Sequence, residues 1–104
     1  MLSPSMTVTN LSKEQILEAK RDLERSIEAN REQISLFQIL LQRLSRTSVT
    51  SKGGGDLPMA ADFLLREKDE VRRVLQGMIQ REYDQINGKQ DVAAFLDRLL
   101  PYAT

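Results

Sequence analysis

The sequence predicts an all-α protein, a long helical hairpin followed by a short C-terminal helix. Three observations lead there. Residues 12–46 contain no Pro and no Gly, and their apolar residues recur at alternating spacings of four and three. A glycine triplet, Gly53, Gly54 and Gly55, interrupts that pattern, and a second helical periodicity follows Pro58. Asn87-Gly88 and Pro101 then bracket a last short apolar stretch. With 104 residues the chain is one domain at most.

Residues 1–11 carry no periodic pattern and are expected to be disordered. The first helix is expected over residues 12–46. Ser12-Lys13-Glu14-Gln15 fits a capping box, with Ser12 as N-cap and Gln15 reaching back to it. Leu11 and Ile16 occupy the two positions of a hydrophobic staple. Beyond them, Ile16, Leu23, Asn30, Phe37 and Leu44 lie seven apart, and Lys20, Ile27, Ile34 and Leu41 interleave them. That is a heptad seam with two polar members, Lys20 and Asn30. Lys20 is expected to snorkel to solvent. Asn30 either sets register at a cost in stability or marks a frayed edge where the seam faces water. Past Ser35 the apolar set widens: Leu36, Ile39 and Leu40 fall outside the seam. A helix that is apolar around much of its circumference touches neighbours on more than one side.

Residues 46–57 are expected to form a flexible linker, on the strength of the glycines and the hydroxyl residues Ser48, Thr50 and Ser51. No Gly-Lys-Ser/Thr follows the triplet, so it is no phosphate loop. A second helix is expected over residues 58–87, with Asp56 as cap and Pro58 in its first turn. Its apolar stripe includes Met59, Phe63, Leu64, Val71, Val74, Leu75, Met78, Ile79 and Ile86, and it drifts as a straight globular helix requires. Asn87-Gly88 reads as a helix stop. Asp91 then caps a third helix over residues 91–100, whose apolar face is Val92, Phe95, Leu96, Leu99 and Leu100.

Composition narrows the chemistry. Without Cys or His there is no thiol nucleophile, no imidazole base and no thiolate or histidine metal site. Glu14/Glu18, Glu24/Glu28 and Glu28/Glu32 share helix faces, but each has a basic neighbour and none lies on the apolar seam. They read as a solvated surface, and Tyr83 and Tyr102 have no cluster of reactive groups around them. No catalytic residue, metal, cofactor or small-molecule substrate is therefore expected. Lysine plus arginine number 15 and aspartate plus glutamate 15, a balance that lacks the basic footprint of a nucleic-acid binder. No stretch approaches the ~18 apolar residues of a membrane span, and no basic segment leading into an apolar run opens the sequence. The expectation is a cytoplasmic protein, with the nucleus as the alternative.

What remains is protein binding. The first helix holds more apolar surface than one companion helix can cover, and large exposed apolar faces mark interfaces. The expected partner-binding residues are Ile16, Leu23, Ile27, Asn30, Ile34, Leu36, Phe37, Ile39, Leu40, Leu41 and Leu44. The partner is expected to be a second copy or another helical subunit, completing a helical bundle or coiled coil. The function expected is that of a non-enzymatic interaction subunit. The alternative is a small chaperone or adaptor that masks an aggregation-prone helix of a client.

Overall fold

The computed structural model describes residues 10–46 and 57–104, and for residues 57–61 the backbone alone. The order is α1 (Lys13–Arg46), α2 (Leu57–Leu99) and a 3-10 turn (Leu100–Tyr102), with no strand among the described residues. The chain is a helical hairpin, as its periodicities predict. Nearly all of the segment expected to be disordered, residues 1–9, lies outside the described residues. So do the linker at 47–56 and the cap assigned to Asp56.

α1 starts where the capping box places it. The Ser12 N–H donates to Gln15 Oε1 at 2.9 Å, and the Gln15 N–H donates to Ser12 Oγ at 3.1 Å. Two donors that the first turn would leave without partners are thus satisfied reciprocally. At the other end Arg43 and Arg46 stand in the last turn, where positive charge offsets the helix dipole.

α2 departs from expectation. There is no separate third helix over residues 91–100, because the helix runs unbroken through Asn87, Gly88 and Asp91. Gly88 is not a left-handed stop, and a Cβ built on it would meet nothing within 4 Å. An interior glycine costs a helix only ~1 kcal/mol, which packing on either side outweighs. That packing is continuous. Leu75, Ile79, Glu82, Ile86, Lys89, Ala93, Leu96 and Leu100, all covered wholly or in part, keep the four-three alternation across Gly88. The covered stripe of α2 is therefore a heptad seam and does not drift. Pro101 supplies the true stop: it has no N–H to continue the ladder, and the chain tightens into the 3-10 turn.

Packing divides into two units, each built from part of both helices. The first comprises residues up to Arg31 together with Tyr83–Thr104. Its core is Ile16, Ile27, Ile86 and Leu96. Its helices run antiparallel, as three links show. Lys20 pairs with Asp97, Asn30 bonds to Gln85 and Lys89, and the Thr104 N–H donates to the Leu11 carbonyl at 3.4 Å. Lys20 thus reaches outward from the seam to a carboxylate that is itself exposed. The second unit is Glu32–Glu82. Ile34 is its one buried hydrophobic residue among those described. Phe37, Leu41 and Leu44 on α1 and Leu75, Met78 and Ile79 on α2 are half-buried.

Candidate functional site

The residues expected to bind a partner separate into two groups by burial. Ile16, Ile27, Asn30 and Ile34 are buried, and Leu23, Phe37, Leu41 and Leu44 are half-buried. All eight belong to the heptad seam, which the hairpin already covers in whole or in part. The other three, Leu36, Ile39 and Leu40, are 48%, 46% and 40% exposed. At about 100° per residue Ile39 projects opposite the seam, Leu36 lies about 120° from it, and Leu40 about 80°, on its flank. The structure thus resolves one sequence-level surface into an inward stripe and an outward apolar patch. The patch belongs to the second packing unit.

Asn30 shows how the inward stripe is organised. It is the one buried polar residue among those described. Its Nδ2 donates to Gln85 Oε1 at 2.8 Å, and its Oδ1 accepts from the Lys89 ammonium. A buried amide needs partners for both ends, and α2 provides them. No buried side-chain polar atom among the described residues lacks a partner. The lysine on the α2 seam thus answers the asparagine on the α1 seam.

The outward patch has a defined setting. Glu32 precedes it by one helical turn, and Arg43 and Arg46 follow it, all exposed. Together with Leu36 and Ile39 these residues recur at spacings of four, three, four and three: Glu32, Leu36, Ile39, Arg43, Arg46. This is a second, shorter heptad face, acidic at one end, apolar in the middle and basic at the other. Sequence reasoning marked its apolar members but not its charged ends, although the same spacing shows them.

Sequence reasoning also missed the surface of α2. Phe63, Leu64, Val71 and Val74 were expected on its inward stripe, yet they are 67%, 47%, 43% and 61% exposed. Val92 and Phe95, expected on the packed face of a third helix, are exposed as well. Phe95 instead lies under the Arg98 guanidinium, 6.0 Å from ring centroid to cation, a favourable arrangement for a wet aromatic ring. Glu82 and Lys89 hold seam positions, and a reading that follows apolar residues alone steps off the seam at each of them.

Among the described residues nothing in the geometry assembles reactive groups. Among the described residues no three carboxylates gather as metal ligands. The depression along α1 lined by Ser35, Gln38, Ile39 and Gln42 is an open groove. No helix among the described residues is long and apolar enough to cross a membrane. What the arrangement can do is present an apolar, charge-bracketed helix face to another surface. In comparisons with known protein families, curated proteins and solved structures, nothing matches the chain.

Proposed function

We propose that the chain is a non-enzymatic interaction subunit that docks another helix on the outer face of α1. One observation carries this reading. Leu36, Ile39 and Leu40 stay exposed on a helix whose heptad seam the hairpin already covers in whole or in part. Clustered large aliphatic side chains in water are unfavourable by roughly 25 cal/mol per Å² of apolar surface, and covering them returns that free energy. Heptad spacing on the face selects a helical partner over an extended one.

The test is Leu40→Asp, compared with the unaltered chain for helicity, for mass in solution and for the proteins retained on an affinity column. Leu40 is exposed, so the charge lies in water and the hairpin should keep its helicity. Mass or retained partner should fall. If both persist with the aspartate in place, the outer face is not an interface and the reading fails.

A further inference from the structure

We infer that the occupant of this face is a second copy of the chain, laid antiparallel on the first so that α1 meets α1. The inference rests on the docking face just proposed and names what fills it.

The charge order along the face carries it. From Glu32 through Leu36 and Ile39 to Arg43, the sign runs from negative through apolar to positive. Such a face complements its own reverse. Turn a second α1 end for end about an axis between Leu36 and Ile39. Leu36 of one copy then opposes Ile39 of the other, and Glu32 opposes Arg43, each pair occurring twice. That is the self-matching required of a two-fold interface, in which one patch meets the same patch. The two apolar layers lie between two opposite-charge layers, with Leu40 flanking them. A parallel pairing gives the opposite result: Glu32 meets Glu32 and Arg43 meets Arg43, and like charges at facing positions are unfavourable.

The face also ends where this pairing needs it to end. Traced back toward the start of α1 at the same spacing, its positions are Ala29, Arg25, Asp22 and Glu18. Of these Arg25 and Asp22 already pair with each other at 3.6 Å. The apolar stretch is short and bounded by charge, so the contact is small and the dimer weak. Interfaces at the low end of the size range bind in the micromolar regime or above, here on the order of 10–100 µM.

Charge reversal tests the pairing in the full-length chain, read as the dimer dissociation constant by sedimentation, with helicity recorded alongside. Glu32→Arg and Arg43→Glu each turn two facing attractions into repulsions, so each alone should weaken dimerisation about tenfold. The double reversal Glu32→Arg with Arg43→Glu restores opposite signs at both ends and should recover the native constant. An equal mixture of the two single variants should form mixed dimers in preference to either self-pair. If the single reversals leave the constant unchanged, or the double reversal does not recover, the antiparallel pairing is wrong. A chain that stays monomeric to about 1 mM, above any affinity expected of a specific contact, overturns the second copy as occupant. In that event the partner-retention arm of the Leu40→Asp experiment still decides whether the outer face docks some other helix.

Discussion

Asn30 concentrates the residue-scale physics of the hairpin. Its two hydrogen bonds to Gln85 and Lys89 favour one register: a heptad slip one way sets the amide against Val92 and Leu96, and the other way replaces both partners by Met78 and Glu82. Its partners differ from it in one respect: Gln85 is exposed and Lys89 half-exposed, so both reach water without it. Removing one member of a buried polar pair is costly only when the other is left stranded. Asn30→Leu should therefore leave stability unchanged or raise it, read as the urea midpoint. A loss beyond ~2 kcal/mol would mean that the amide bonds themselves hold the hairpin together. The Lys20–Asp97 pair is a lesser link, because Asp97 is 55% exposed and exposed pairs contribute ~1 kcal/mol at most.

At the scale of elements, the central fact is that α2 crosses Gly88 without a break. Gly88 lies inside the helix, with no left-handed backbone and open space where a Cβ would stand. Gly88→Ala should then stabilise the protein by about 0.5–1 kcal/mol, through helix propensity and a less flexible unfolded chain. A glycine serving as a helix stop would respond in the opposite direction, so a lowered melting temperature would restore the two-helix reading of this region. α1 was legible because its seam is apolar at seven of nine positions and its start carries a capping box with both partners in place. α2 was less legible because its seam includes Glu82 and Lys89, and because Asn-Gly is a strong local stop that long-range packing overrides. The outward patch was legible for a different reason. Three large aliphatic residues fall where the seam does not, and no companion within one hairpin reaches both sides of a helix. Nothing in the periodicity showed that Phe63 and Val74 would be left in water, since that depends on which face of α2 the hairpin selects.

Across the whole molecule, burial is uneven. Among the described residues, the first packing unit buries Ile16, Ile27, Asn30, Ile86 and Leu96, whereas the second buries Ile34. Local stability follows buried apolar contact, so opening should be easier in the second unit. Hydrogen exchange on dilute protein should show slower exchange for residues 23–30 and 86–93 than for residues 36–41 and 64–71. Uniform protection would indicate a single cooperative unit whose stability burial does not apportion. A weakly packed unit that also carries the outward patch gains most from a partner, because association buries surface that folding alone leaves exposed. The occupant inferred for this surface is a second copy of the chain. Sedimentation equilibrium of the unaltered protein over a concentration series tests it most directly. The mass should rise from the monomer value of 11.9 kDa toward twice that value as concentration passes through the micromolar range. A mass that stays at the monomer value to about 1 mM would contradict it.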